Sequence, residues 1–182
     1  MTEPLTLASG SAQRRAILEQ LGVDFRVVVP EIEELTEGEP RGLARENALR
    51  KARAVAGERV LGVDTEVVLD GRVFGKPSDA REAERFLRRL SGRTHSVLSG
   101  IVLRRGGDER ADVCETRVRF RRLEQSDLDW YLASGEWDGR AGGYAIQGRG
   151  AALVEAIDGD YWNVVGLPLP TLLALARDLL AP

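Results

Sequence analysis

Cysteine and histidine each occur once in this sequence, as Cys114 and His95. A single cysteine excludes an internal disulfide and a zinc site built from several thiolates. A single histidine excludes any metal centre that needs two imidazole ligands. His95 lies at the start of an apolar strand pattern, and we interpret it as a hydrogen-bonded structural residue rather than a catalytic base.

Lysine is also scarce, because only Lys51 and Lys76 among the 26 basic residues are not arginine. An ammonium group is a compact point charge, whereas a guanidinium is a planar fork. A chain so rich in arginine is expected to keep lysine where the compact charge is required. The alternative is that the two lysines stand at these positions by chance.

Long apolar runs are missing too. No segment approaches the about 18 apolar residues of a membrane-spanning helix, and the first residues lack a signal-peptide pattern. The net charge of −3 argues against binding to nucleic acids or membranes by bulk charge. We therefore expect a cytoplasmic protein with neither kind of partner, although a local basic pocket for a small anion stays possible.

Strand and helix patterns follow one another along the chain without repeats or a linker. A chain of 182 residues is long enough to bury about two-thirds of its unfolded surface in one core. The pattern predicts one α/β domain that spans residues 1–182.

The stretch Gly62–Pro77 is the most informative part of the sequence. The apolar run Val60–Val63 predicts a buried strand, and Asp64 follows where that strand should leave the core. Asp70-Gly71 lies between two β-prone runs and predicts a two-residue hairpin turn. We expect the hairpin to bring Lys76 back towards Asp64, which suits a site for an anion together with a metal ion or a water molecule.

The N-terminal residues predict a strand, Leu5–Leu7, and a helix from Ala12 to Leu21. Ser9 precedes the helix, and Arg14 lies in its first turn. Free N–H groups at a helix start, together with hydroxyls and an arginine, form a natural phosphate site. The alternative is that Ser9 or Ser11 is a plain N-cap and the arginine is solvated.

An acidic run, Glu31–Glu34, follows the predicted strand Phe25–Val29. Acidic residues at a strand end can hold a hard cation, but such clusters are also found in solvated loops. The next segment, Pro40–Ala56, predicts a helix with a stripe of small apolar residues. Asn47 and Lys51 are four residues apart and should share one face of that helix beside the stripe.

The C-terminal half predicts a helix over Gln125–Ser134 with Ser126 as its cap, then a glycine-rich shaped loop. Gln147 lies in that loop, where its amide could read the edge of a base or bond to the backbone. A strand is predicted over Ala151–Ile157, and Asp158-Gly159 predicts a second hairpin turn.

Six motifs in this order resemble the Maf family of nucleoside triphosphate pyrophosphatases: LASGSAQRR, LRKARAVA, GVDTEVVLDGRVFGKP, LRRLSGRTHSV, AGGYAIQGRGA and GDYWNVVGLPL. The resemblance covers nearly the full length. It implies a long mixed β-sheet flanked by helices, with a deep substrate cleft. It also implies hydrolysis of a nucleoside triphosphate to the monophosphate and pyrophosphate, with Mg²⁺ or Mn²⁺ as cofactor.

The resemblance assigns roles to individual positions of this chain. Asp64 falls on the catalytic aspartate of the family. The resemblance also places Asp64 near the metal, together with either Glu34 or Glu33, and we favour Glu34. Thr65 and Gln147 fall on positions that help to choose the base in the branch acting on dTTP and UTP. Four residues fall on phosphate-binding positions: Ser9, Arg14, Lys51 and Lys76. Two lysines placed at random among 26 basic positions would meet both lysine positions roughly once in 300 trials.

The sequence departs from the family pattern at several positions. Gln13 replaces an arginine that is usual in the dTTP/UTP branch and is therefore a further candidate for base preference. Gly139-Arg140 stands where the family often has Asp-Lys, a change that bears on how the loop holds substrate.

Two other functions remain compatible with the sequence. The segment RENALRKARAVA also resembles the helix of inosine triphosphate pyrophosphatases, which would favour a non-standard purine nucleotide as substrate. A nucleotide-binding regulator of cell division is the alternative outside enzymes. The resemblance also suggests a homodimer.

Overall fold

The computed structural model describes residues 4–180 and confirms the predicted α/β class. Its strands are β1 (Leu5–Ala8), β2 (Phe25–Val27), β3 (Arg59–Leu69), β4 (Arg72–Phe74), β5 (Thr94–Arg105), β6 (Asp108–Phe120) and β7 (Val154–Asp158). Its α-helices are α1 (Ala12–Gln20), α2 (Pro40–Arg53), α3 (Ala80–Leu90), α4 (Gln125–Leu132), α5 (Tyr161–Val165) and α6 (Leu169–Leu175). Three 3₁₀ segments cover Ala141–Gly143, Arg149–Leu153 and Arg177–Leu180.

The described strands form one mixed sheet of seven, in the order β2-β1-β3-β5-β6-β7, with β4 paired to β3. β1 runs parallel to both β2 and β3, whereas the β3–β4 and β6–β7 pairs are antiparallel. The long mixed sheet with flanking helices is therefore confirmed. Between residues 4 and 180, no helix is long and apolar enough to cross a bilayer.

By its contacts the chain divides into two compact units. Among the described residues, the first unit contains residues 4–65, 99–114 and 166–180, and the second contains residues 66–98 and 115–165. Strands β3, β5 and β6 contribute residues to both units. The single domain over residues 1–182 stays a prediction.

In the first unit, helix α2 lies directly on the backbone of the sheet. Its buried face includes Ala44, Ala48 and Ala52, and the strands beneath it carry glycines at the points of contact. A Cβ on Gly62 of β3 would lie 2.2 Å from the carbonyl oxygen of Ala48, and one on Gly100 of β5 would lie 2.1 Å from that of Ala44. Only glycine permits so close an approach of helix and strand.

The core of the second unit contains the aromatic cluster His95, Phe120, Tyr131 and Tyr144 with surrounding aliphatic residues. The ring of Phe120 packs edge-to-face against Tyr144, with ring centroids 4.8 Å apart. Nε2 of His95 lies 2.8 Å from the hydroxyl of Tyr144. The structure thus confirms His95 as a buried, hydrogen-bonded structural residue.

The predicted hairpin is present, with Asp70 and Gly71 at its turn. Both residues have positive φ, 52° and 74°, as the tight antiparallel turn requires. Val67 pairs with Phe74 across the two strands. That the hairpin brings Lys76 close to Asp64 stays a prediction.

Several predicted boundaries are wrong. Helix α4 begins after Glu124, which forms a reciprocal capping box with Asp127, so Ser126 is already inside the helix. Residues 151–153 belong to a 3₁₀ turn rather than to the strand, because the chain folds tightly before it: a Cβ on Gly150 would lie 2.4 Å from the oxygen of Ala145.

Asp158-Gly159 is followed by a helix and not by a second hairpin strand. The carboxylate of Asp160 accepts a hydrogen bond from the backbone N–H of Trp162 at 2.9 Å. The backbone of Asp160 is itself held by Thr116, whose hydroxyl donates to its carbonyl and accepts from its N–H. These bonds favour the start of α5 at this point.

Candidate active site

A carboxylate and an ammonium group meet within the first unit. Asp64 lies on β3, and Lys51 lies in the last turn of α2. Nζ of Lys51 is 2.5 Å from Oδ1 of Asp64, and their side chains are only 9% and 6% exposed. A buried pair of this kind is stable only when both charges are compensated locally. The close contact of α2 with Gly62 places the ammonium over the strand that carries the acid.

Glu34 joins this pair from the loop that follows β2. Its Oε1 lies 2.8 Å from Nζ of Lys51, and its side chain is 42% exposed. The acidic run Glu31–Glu34 thus lies in a loop, as one of the two alternatives predicted. One of its residues, Glu34, nevertheless contacts the buried ammonium of Lys51. Two carboxylates therefore face one cationic group.

Asn47 holds the loop in place and was not predicted as a site residue. Its Oδ1 accepts from the N–H of Leu35 at 2.8 Å, and its Nδ2 donates to the carbonyl of Leu35 at 3.0 Å. The same Nδ2 lies 3.4 Å from Oδ2 of Asp64. Asn47 thereby fixes Leu35, the neighbour of Glu34, and also contacts Asp64. In the sequence, its position one helical turn before Lys51 was the feature that could have indicated a place in the site.

Arg14 is a buried arginine, which contradicts the alternative of a solvated charge. Its Nε donates to the carbonyl of Gly166 at 2.9 Å, and its Nη1 donates to Oγ of Ser9 at 3.0 Å. Its Nη2 donates to Oγ1 of Thr65 at 3.0 Å. Burial lowers the pKa of the guanidinium, while the negative charges of Asp64 and Glu34 oppose that shift.

The serines at the start of α1 have separate tasks. Ser11 is the N-cap, and its Oγ accepts from the N–H of Arg14 at 3.4 Å. Ser9 is nearly buried and accepts from the N–H of Ser11 at 3.2 Å as well as from Arg14. Gln13 is half-buried, and its Oε1 accepts from the hydroxyl of Ser11 at 3.2 Å. The plain N-cap alternative therefore holds for Ser11 and not for Ser9.

Thr65 connects Arg14 to a second hydroxyl that sequence reasoning missed. Its Oγ1 lies 2.8 Å from Oγ of Ser99, a fully buried serine of β5. No sequence pattern marks Ser99, because it stands as a lone small polar residue in an apolar strand. Seven predicted site residues are thus in the first unit: Ser9, Gln13, Arg14, Glu34, Lys51, Asp64 and Thr65.

Lys76 and Gln147 belong to the second unit, and both are exposed. Lys76 follows β4, next to Gly75, whose carbonyl accepts from the N–H of Gly142 at 3.0 Å. Gln147 follows the buried Ile146 in the glycine-rich loop. Their roles in phosphate binding and base choice stay predictions.

The carboxylates suit a hard divalent cation. Asp64 and Glu34 already turn one oxygen each towards a single cationic centre, the ammonium of Lys51. Across residues 4–180, no group of three or more histidine, cysteine or acidic residues is arranged to hold a metal ion. Two carboxylates with further oxygens from substrate phosphates and water are the donor set that Mg²⁺ prefers.

The fold and this arrangement define an α/β protein whose first unit places a carboxylate, an ammonium and a buried guanidinium together. The family described as Maf-like protein matches residues 4–179. The chain belongs to the Maf family.

Curated relatives cover most of the chain. A protein of Symbiobacterium thermophilum named dTTP/UTP pyrophosphatase is 51% identical over 173 residues, which are 92% of this chain and 89% of its own. One of the same name from Thermus thermophilus is 49% identical over 94% of this chain and 92% of its own. A third protein of this name, from Deinococcus radiodurans, is 45% identical over 94% of this chain and 90% of its own.

Proposed function

We propose that this protein hydrolyses dTTP and UTP between the α- and β-phosphates, releasing the monophosphate and pyrophosphate. The observation that carries the proposal is the buried contact between Asp64 and Lys51, 2.5 Å apart, in a member of the Maf family. The names of the relatives support the pyrimidine substrates. The proposed reaction class is hydrolysis at phosphorus with pyrophosphate as leaving group.

Phosphate binding is assigned to a set of basic and hydroxyl side chains: Ser9, Arg14, Lys51 and Lys76. Arg14 and Ser9 are bonded to each other at the start of α1, where the positive end of the helix dipole also favours an anion. Lys51 is nearly buried, so its charge would act on a phosphoryl oxygen with little screening by solvent. These cations would neutralise charge that develops on the phosphoryl oxygens, a contribution that is usually large.

Asp64 is assigned as the general base or the residue that orients the attacking water. Its carboxylate is nearly buried, is contacted by Lys51 and Asn47, and cannot swing freely. A fixed carboxylate can align a water molecule for in-line attack on the α-phosphorus and accept its proton. The leaving pyrophosphate would then depart on the opposite side of the phosphorus.

Mg²⁺ or Mn²⁺ is proposed as the cofactor, held by Asp64 and Glu34. A bound divalent ion would supply charge neutralisation at the triphosphate oxygens and lower the pKa of a coordinated water. Glu34 is held near the site by the bonds of Asn47 to Leu35. Lys51 contacts both carboxylates, so its ammonium would lie close to the phosphates of a nucleotide bound with the ion.

Base selection is assigned to Thr65, Gln147 and Gln13. Thr65 is half-buried, and its hydroxyl oxygen is held in position by contacts with Arg14 and Ser99. Gln147 offers a paired donor and acceptor on an exposed loop. We also propose a cytoplasmic protein that forms a homodimer and binds neither nucleic acid nor membrane.

The test is a substrate panel read out as pyrophosphate release. The panel contains dTTP, UTP, CTP, methylated pyrimidine nucleotides and ITP, each with Mg²⁺, with Mn²⁺ and with excess EDTA. We expect dTTP and UTP to be turned over with either ion and to be inert with EDTA.

Turnover of ITP alone would overturn the pyrimidine assignment in favour of a non-standard purine. Tight binding of every nucleotide without turnover would favour a regulator. A light-scattering mass measurement tests the homodimer, which a monomer at all protein concentrations would contradict.

A further inference from the structure

The hydroxyl of Thr65 is held from two sides by side chains of the first unit. Nη2 of Arg14 lies 3.0 Å from Oγ1 of Thr65, and a guanidinium can only donate. The second neighbour is Oγ of Ser99, at 2.8 Å, and either hydroxyl could donate in that contact. The direction of the second bond decides what Thr65 can offer to a ligand.

Burial of Ser99 settles that direction. Ser99 is 0% exposed, and within residues 4–180 Thr65 is the hydrogen-bond partner of its hydroxyl. If Thr65 donated to Ser99, the hydrogen of Ser99 would be buried without an acceptor, which costs the full desolvation of that group. If Ser99 donates to Thr65, its hydrogen is satisfied and the hydrogen of Thr65 is left free.

We propose that Ser99 and Arg14 lock Thr65 as a hydrogen-bond donor, so that the site selects a base edge that carries a carbonyl oxygen. Both lone pairs of Oγ1 are then occupied, and its own O–H is directed away from Arg14 and Ser99. Thr65 is half-buried, so a bound base can receive that hydrogen. The inference depends on the proposed function and on the assignment of Thr65 to the base.

The selectivity follows from the chemistry of the pyrimidines. Uracil and thymine present an O4 acceptor at the position where cytosine presents an N4 amino donor. A fixed donor pairs with the carbonyl and meets the amino group donor to donor. Sites that pair a polar group with the correct substrate discriminate strongly, because the wrong substrate leaves that group unpaired. Ser99 is therefore a positioning residue for discrimination against CTP.

The experiment compares kcat/KM for UTP and for CTP in the wild type and in Ser99→Ala. Loss of one neutral hydrogen bond corresponds to a change of about two- to tenfold. We expect the UTP/CTP ratio to fall by that factor, because the freed Thr65 hydroxyl can rotate and accept from the amino group. Ser96→Ala is the matched control on the same strand, since the hydroxyl of Ser96 is bonded to Glu115 at 2.7 Å instead.

A double-mutant cycle separates positioning from a general structural effect. Thr65→Val should lower the UTP/CTP ratio, and adding Ser99→Ala to it should cause no further change. Ser99→Thr restores a hydroxyl and should recover part of the ratio. Thermal unfolding of each variant shows whether the fold is kept.

The outcomes distinguish this inference from the proposed function. Wild-type turnover of UTP without preference over CTP would overturn the inference. An equal loss for both nucleotides in Ser99→Ala, or an unchanged ratio, would overturn it too, while leaving the pyrophosphatase activity in place. Absence of turnover with dTTP and UTP would overturn the proposed function itself.

Discussion

Nζ of Lys51 lies between two carboxylates, 2.5 Å from Oδ1 of Asp64 and 2.8 Å from Oε1 of Glu34. The two acids share this ammonium, and the charge of the Arg14 guanidinium also interacts favourably with both. In the proposed mechanism Asp64 and Glu34 would hold a divalent ion, and the Lys51 ammonium beside them would neutralise charge on the substrate phosphates. The same lysine would then have two roles: it stabilises the fold through its ion pairs, and it would neutralise phosphate charge in the proposed reaction.

Replacing Asp64 by Asn removes the charge and keeps the shape. We expect turnover to fall by about 10²–10⁴-fold, the usual contribution of a general base. Nucleotide binding and folding should be largely kept, because Lys51 retains Glu34 as a partner. Pyrophosphate release and isothermal titration calorimetry measure the two effects. Asp70→Asn is the control, because Asp70 is exposed and asparagine also tolerates its positive φ. Near-normal turnover in Asp64→Asn would exclude Asp64 from the chemistry.

Replacing Lys51 by Met should lower both stability and turnover. Removing one partner of a buried ion pair typically costs about 3–5 kcal/mol, because the remaining charge is left uncompensated. Asp64 would keep a hydrogen bond from Asn47 and the favourable charge of Arg14, neither of which replaces the direct contact with the ammonium. Urea unfolding monitored by circular dichroism checks the loss.

Arg50→Gln is the control for Lys51, one residue earlier on the same helix. Its ion pair with Glu46 is exposed, with side chains 43% and 42% accessible. Exposed pairs contribute about 0.2–1 kcal/mol, so this variant should be nearly as stable as the wild type. Equal losses in the two variants would show that burial of Lys51 does not matter.

Adding a methyl group at Gly62 should push α2 off the sheet. The new Cβ would meet the carbonyl oxygen of Ala48 at 2.2 Å, so the helix has to move. Overpacking of this kind costs about 1–3 kcal/mol, and Lys51 would move with the helix, so turnover should fall as well. Thermal unfolding and pyrophosphate release of Gly62→Ala measure both.

Gly107→Ala is the matched control for that substitution. A Cβ there has no atom within 4 Å, and the residue does not have positive φ. Its unfolding temperature and turnover should stay close to those of the wild type. A Gly62→Ala protein that behaves like Gly107→Ala would refute the tight contact of α2 with β3.

Burial lowers the pKa of His95 from 6.5 to about 4. Between those values the unfolded chain binds more protons than the folded one, so the free energy of unfolding rises with pH. The contribution of His95 is complete above pH 6.5 and is lost as pH falls towards 4. It amounts to about 3 kcal/mol at 1.36 kcal/mol for each pKa unit.

The single histidine makes this prediction easy to check, because its ring resonances in a proton NMR titration belong to one residue. They should not titrate near pH 6.5 in the folded protein. Asp127, whose pKa Arg121 lowers to about 2, loses its contribution only at lower pH. An ordinary histidine titration would show that His95 is solvated.

Much of the fold could be predicted from local signals. Asp70-Gly71 between β-prone runs specified the hairpin, and the apolar run Val60–Val63 specified the buried part of β3. The family and the α/β class were also correct, since ordered motifs are more specific than single residues. The start of β7 was predicted too early, because the apolar residues from Ala151 onwards are typical of a strand. In the structure they continue a 3₁₀ segment, Arg149–Leu153, that begins in the glycine-rich loop.

The candidate site was predicted only in part, for a physical reason. Spacing could place Asn47 beside Lys51, but it could not show that α2 touches Gly62 and so brings Lys51 onto Asp64. Ser99 and the carbonyl of Gly166 left no local signal, because their partners, Thr65 and Arg14, are distant in sequence. The roles of the site residues stay predictions.

The contact of α2 with Gly62 and Gly100 also limits how this enzyme can be re-engineered. No side chain separates the helix from the strands at those two points, so a substitution at either glycine would have to displace the backbone of α2. A change of substrate preference should therefore keep both glycines and be sought at hydroxyl side chains such as Ser9, Thr65 and Ser99.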